Sequence, residues 1–152
     1  SKSSGNDESR IWRQYQENLL CQKLIEYSTE NQNCPVIICG DFNMDIDEFC
    51  TEENFVKLCS GNFCETHDIK VQSPWLNLDG SLSTNTGSYY FDENWERIDN
   101  FFIMGNIRFV DFRVCSEDPF LDKNGKPFGY KIYSGEGYSD HLPLYGVFSL
   151  DN

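Results

Sequence analysis

A short apolar run, Val36-Ile37-Ile38-Cys39, opens after Cys34-Pro35 and breaks off into the polar turn Gly40-Asp41-Phe42-Asn43-Met44-Asp45. Consecutive apolar residues without alternation are expected of a strand covered on both faces, so the run predicts a central strand. The flanking segments must then supply the covers. Upstream, residues 6–32 read as a helix of several turns. Asn6 or Asp7 would cap it, and Ile11, Tyr15, Leu19, Leu20, Leu24 and Tyr27 form an apolar stripe that should pack on the sheet. Downstream, residues 46–60 predict one or two short helices burying Ile46, Phe49, Phe55, Val56 and Leu58, with Asp45 as cap.

The period then changes from helical to extended. After a loop-rich segment to about residue 86, GSYYF and WERIDNFFIM flank a hairpin turn at Asp92-Glu93-Asn94. Within 107–114, Ile107, Phe109, Asp111 and Arg113 alternate with Arg108, Val110, Phe112 and Val114. A long loop over 115–139 precedes a last strand in LPLYGVFSL. Helix, strand, helices and then several strands predict an α/β fold, with a mainly antiparallel or mixed sheet covered by helices. No repeat or linker divides residues 1–152, so one domain is expected.

Charge narrows the partners. Twelve Lys and Arg against 25 Asp and Glu give a net charge of -13, which repels a polyanion unless cations or a segregated basic face intervene. Seven cysteines occur without a CxxC pair, and no Asn-x-Ser/Thr sequon is present, so reduced, buried thiols are expected. Cys50, Cys59 and Cys64 are read as core thiols. The polar start SKSSGNDESR and the lack of a long apolar run predict no membrane span. The expected location is intracellular, cytoplasmic or nuclear, with secretion as the alternative.

Three polar clusters interrupt the strands: Asp41 with Asn43, Asp99, and Asp140 with His141. An isolated Asp after a strand commonly caps a turn. Asp99 is less easily explained that way, because it lies between Ile98 and Phe101-Phe102, where a carboxylate must be hydrogen-bonded or paired. Arg97 falls on the other face of a regular strand, which leaves His141 as the better partner. A carboxylate on one imidazole nitrogen fixes the tautomer and raises the pKa, freeing the other nitrogen to donate to a substrate. Asp41 and Asn43, two apart, would face the same way and hold a water beside a phosphoryl oxygen, with Asp140 available to a divalent ion. Lys131, Tyr133 and Tyr138, in a loop that also carries Lys123, Lys126, Phe128 and Tyr130, are the candidate substrate contacts. His67-Asp68 is read as a surface or capping pair.

PVIICGDFNMD, WERIDNFFI and GYSDHLPLYG, in this order and at these intervals, resemble the three C-terminal motifs of the endonuclease/exonuclease/phosphatase superfamily, the DNase I-like fold. The resemblance implies the C-terminal half of a four-layer α/β sandwich and a Mg²⁺-dependent phosphoesterase, with Mn²⁺ as a substitute. It implies that Asp41 aligns or deprotonates the attacking water and that Asn43 holds the water and phosphate. Asp99 would orient His141, which neutralises a phosphate oxygen, while Asp140 and Asp41 would serve the metal. Asn100 departs from the family, which usually has Tyr there. The family's first strands and its metal-binding Glu have no counterpart in this sequence, so an N-terminal half is expected as a separate fragment or missing segment. The alternative is a non-catalytic fragment or diverged member serving as a binding or structural component.

Overall fold

The computed structural model describes residues 7–51, 71–77 and 79–150. In chain order the elements are α1 (Asp7–Glu30), β1 (Val36–Asp41), α2 (Ile46–Thr51), β2 (Val71–Gln72), β3 (Tyr89–Phe91), β4 (Asn94–Glu96), β5 (Asp99–Met104), β6 (Ile107–Val114) and β7 (Leu144–Leu150). Helices are therefore combined with sheets, and every strand pairing among the described residues is antiparallel. The expected continuation of the helical region through Phe55, Val56 and Leu58, the pair His67-Asp68, and Cys59 and Cys64 lie outside the described residues.

One sheet has the order β1-β5-β2. Its β1–β5 ladder runs from Val36 opposite Met104 to Asp41 opposite Asp99. Because side chains alternate across a strand, Val36, Ile38, Phe102 and Met104 share a face. That face packs with Leu24, Met44, Ile46 and Phe49 into the core. Phe42, Phe49 and Phe102 meet edge to face, with ring centroids 5.8, 5.3 and 5.1 Å apart, a favourable arrangement of aromatic quadrupoles. Phe102→Ala is expected to cost about 3–5 kcal/mol of stability, read from the midpoint of urea unfolding, because the side chain is fully enclosed and leaves a cavity.

β1 is not the central strand that its composition predicts. Among the described residues it pairs only with β5, and Ile37 and Cys39 on its second face are exposed. Apolar runs report hydrophobicity but do not distinguish one covered face from two. The helix also turns differently from expectation. Leu20 and Leu24 point inward, joined by Cys21 and Ile25, whereas Ile11, Tyr15, Leu19 and Tyr27 are exposed. At 3.6 residues per turn the two sets lie on roughly opposite sides of α1. Arg13 and the buried Glu17 occur on the inward side and interrupt its apolar signal.

The β5–β6 connection ties the sheet to the end of α1. Gly105 has φ +84°, and a Cβ there would collide with the Cys34 carbonyl oxygen, so glycine is required sterically. Asn106 N–H also donates to Asn33 O at 3.0 Å. β6 and β7 form a separate two-stranded sheet, and their register skips Val110 between Phe109 and Asp111. This bulge changes the parity of the strand: Ile107, Phe109, Phe112 and Val114 are the covered residues, and the expected strict alternation fails. The expected hairpin forms between β3 and β4, with Asp92 and Glu93 at φ 46° and 63°.

The cysteine expectation holds only in part. Cys21, Cys34, Cys39 and Cys115 are free thiols, but Cys34 and Cys39 are exposed. Burial pushes the Cys115 thiol up, assisted by the nearby Glu117 carboxylate. No helix among the described residues is long and apolar enough to cross a membrane.

Candidate functional site

Strand register brings the first two carboxylates together. Asp41, the last residue of β1, is the cross-strand partner of Asp99, the first residue of β5. Like charges directly opposite each other destabilise an antiparallel pair, so this end of the sheet needs a compensating group. His141 supplies one, with Nδ1 2.8 Å from Asp99 Oδ2. The ligand-capable atoms of Asp41, Asp99 and His141 all lie within 4.8 Å of one another.

The histidine arrives from a distant segment through main-chain pairing. His141 forms an antiparallel bridge with Tyr89, and Leu142 N–H donates to Ser88 O at 2.7 Å. Ser139 Oγ accepts from His141 N–H at 3.0 Å, holding the preceding turn. Tyr89 also covers the imidazole, with ring centroids 4.8 Å apart. Asp99 is positioned through its own backbone: its carbonyl accepts from the fully buried Trp75 Nε1 at 2.8 Å, and its N–H reaches Ser88 Oγ at 3.4 Å. Backbone anchoring leaves the Asp99 carboxylate free to address the ring.

Asp41 and Asn43 do meet, although by a different route from the extended geometry expected. β1 ends at Asp41, and Asn43 takes a left-handed conformation at φ 50°. Asn43 N–H donates to Asp41 Oδ1 at 2.7 Å, and Asn43 Nδ2 donates to Asp41 Oδ2 at 3.3 Å. An Asx turn of this kind is one of the few local arrangements that make a positive φ inexpensive for a non-glycine residue. Asp45 caps α2 as expected, accepting from Asp47 N–H at 3.1 Å. It also accepts from Arg97 N–H at 2.7 Å, which links the turn to the approach to β5.

Other predicted site residues are not members of this three-residue cluster. Asp140 is exposed and is not a member of the three-residue group, although its charge acts on the neighbouring imidazole. Lys131 pairs with Glu136 at 3.6 Å, Tyr138 packs against Phe120 and Phe128, and Tyr133 is fully exposed. Asn100 faces away from Asp99 across the strand, buried, with Oδ1 accepting from Ser73 Oγ at 2.9 Å. The role of Asn100 is therefore in packing around Ser73. Comparison with family models, with curated proteins and with solved structures finds no match.

Three supporting residues were not legible from the motifs: Trp75, Ser88 and Tyr89. A tryptophan within the turn-rich stretch SPWLNLDG was the one available signal, since a large apolar side chain in a polar loop needs a core to enter. Ser88 and Tyr89 act through backbone pairing, which no residue type announces.

The hydrogen bond that His141 donates to Asp99 raises the His141 pKa above its ordinary 6.5, against the opposing effect of burial and with help from the charges of Asp99, Asp41 and Asp140. Imidazolium is thus favoured in the folded chain. This interaction contributes stability that is fully present below the unfolded pKa and is lost as pH rises through the raised folded value. In metal-free protein, the His141 Cε1–H resonance should titrate with a midpoint above 6.5. Asp99→Asn should bring that midpoint down.

Proposed function

We propose that the chain carries part of the active site of a metal-dependent phosphoesterase of the endonuclease/exonuclease/phosphatase type, acting on a phosphodiester through an activated water. The observation that supports this reading most directly is the meeting of Asp41, with Asn43 locked to it, and the Asp99–His141 pair at one sheet end. Such a set combines a carboxylate to orient or deprotonate water, an amide to hold it, and a cationic imidazole to neutralise a phosphoryl oxygen.

In this mechanism Asp99 accepts from His141 Nδ1–H and fixes the tautomer, leaving Nε2 to donate to the phosphate. Tyr89 restricts rotation of the imidazole by covering one face. Asn43 uses its N–H groups to fix the Asp41 carboxylate, whose remaining lone pairs accept the water proton. The donor chemistry fits Mg²⁺ or Mn²⁺, hard ions that use one or two carboxylates and keep several waters. Asp41 is exposed and available as one ligand and Asp140 would be the second, whereas Nδ1 of His141 is committed to Asp99. Bound there, the ion would supply charge stabilisation to the phosphoryl oxygens. Lys131, Tyr133 and Tyr138 belong to the same reading as outer substrate contacts. The DNase I-like sandwich, and the metal-binding Glu that the resemblance supplies elsewhere, are part of this proposal.

The test is hydrolysis of bis(p-nitrophenyl) phosphate with Mg²⁺, with Mn²⁺ and with chelator, using the chain alone and together with any polypeptide that co-purifies with it. Metal-dependent turnover that disappears in Asp41→Asn supports the reading. An absence of turnover in every arm, with no Mn²⁺ binding detected by paramagnetic relaxation, would favour a non-catalytic binding or structural role.

A further inference from the structure

Among the described residues, α1 joins the core cluster only from Leu20 onward, through Leu20, Cys21, Leu24 and Ile25. Ahead of them its inward side carries Arg13 and the buried Glu17, beside a cavity of about 220 Å³ also lined by Phe42, Met44 and Phe49. Arg13 is held there by polar contacts, donating to Ser9 Oγ at 3.2 Å and lying 3.6 Å from Glu48. A helical segment of about a dozen residues gains most of its stability from an apolar face packed on another surface. The first half of α1 has no such packing on its inward side.

Its apolar face points outward instead. Ile11, Trp12, Tyr15 and Leu19 are 54%, 69%, 69% and 56% exposed. At 3.6 residues per turn they share one side of the helix, flanked by the exposed Gln16, Asn18 and Gln22. Arg13 and Glu17 are the sole charged residues from 11 to 22, and both line the inward cavity. A surface stripe rich in aromatic residues and devoid of charge has the composition of a protein interface core. It offers no cation to nucleic acid or to anionic lipid.

The expected N-terminal half belongs on the other side of the sheet. Through Leu24, α1 covers the face of the β1–β5 ladder that carries Val36, Ile38 and Phe102. A second sheet completing the proposed sandwich would take the opposite face, where Ile37 and Cys39 are exposed. The outward side of α1 would then remain the outermost surface.

Area and charge select a second copy as the occupant. The four outward side chains expose roughly 600 Å², so a symmetric pair buries about 1,200 Å², the lower end of a stable interface. Parallel packing would set Glu26 and Glu30 against their own counterparts, at the helix end that already carries the negative dipole charge. Antiparallel packing about Tyr15 and Gln16 avoids this. It brings Trp12 of each copy to Leu19 of the other and sends each Glu26 toward the positive end of the facing helix.

We propose that the chain forms a twofold dimer through the first half of α1, with the two helices antiparallel and Ile11, Trp12, Tyr15 and Leu19 of each copy buried against the other. The dimer gives this half of α1 the apolar contact that its own chain does not supply. It uses none of Asp41, Asp99 and His141, so it stands independently of the phosphoesterase reading.

Sedimentation equilibrium of the full chain, alone and with any polypeptide that co-purifies with it, should show two copies of the chain associated at micromolar concentration in both cases. Leu19→Glu should raise the dissociation constant by about 100-fold or more, because a twofold contact loses the anchor on both sides, while a cooperative urea transition is retained. Ile37→Glu, on the opposite sheet face, should leave the dimer intact. Trp12→Arg should be monomeric like Leu19→Glu, whereas Trp12→Arg combined with Leu19→Glu should dimerise again, since antiparallel pairing sets the new cation beside the new anion of the other copy. The proposal is overturned if wild type is monomeric, if the co-purifying polypeptide dissolves the dimer, if Leu19→Glu dimerises as wild type does, or if the combined variant stays monomeric. A monomer whose Trp12 fluorescence is shielded from iodide would assign the face to another part of the same protein and overturn the proposal equally.

Discussion

His141→Ala is expected to lower turnover on a phosphodiester by about 10²–10⁴-fold, the range of a positioned general acid or electrophile, while the protein stays folded. The imidazole is partly exposed and contributes no side chain to the main core cluster, so its removal leaves no large internal cavity. Asp99→Asn is a sharper version of the same experiment. The amide retains the size of the carboxylate but no longer supplies the negative charge that keeps Nδ1 protonated and the ring cationic. Turnover should fall with His141 still in place, and the pH limb assigned to the imidazole should move down. Steady-state kinetics across pH on both variants checks this. Normal activity in Asp99→Asn would remove the pair from the mechanism.

Asp41→Asn should show opposite responses in activity and stability. Turnover should fall by about 10²-fold or more, because an amide neither accepts the water proton nor provides ionic attraction for a cation. Stability should hold or rise, because Asp41 lies opposite Asp99 and the substitution removes one of two like charges. The Asn43 N–H can still be accepted by the side-chain oxygen at position 41, so the turn persists. Urea unfolding at neutral pH, run beside the activity assay, separates this outcome from a folding defect. Parallel losses of stability and activity would indicate a structural role for Asp41.

The parts of the site visible in the sequence are those whose chemistry is expensive without a partner. Asp99 among aromatic residues required a donor, and His141 is that donor at 2.8 Å. Asp45 after a strand and before an apolar helical pattern required a cap, and it caps α2. The parts that escaped depend on packing direction. Val36 to Cys39 has the same hydrophobicity whether one face is covered or two, and α1 carries an outward apolar set at helical spacing beside the inward one. The bulge at Val110 inverts a strand's faces by one inserted residue, with no change in composition to mark it. β2 is only two residues long, too short for any periodic signal.

The register of β1 on β5 has a consequence for assembly. A slip by a single position would place Asp41 opposite a different residue and send every side chain of β1 to the other face, burying Ile37 and Cys39 in place of Val36 and Ile38. The segment bearing His141 is delivered independently, by pairing with Ser88 and Tyr89. The Asp41–Asp99–His141 geometry is therefore a coincidence detector for two remote pairings, each of which must be correct before the three groups meet. A ligand that binds only the assembled trio would reward the correct register and act as a folding checkpoint for the strands beneath it.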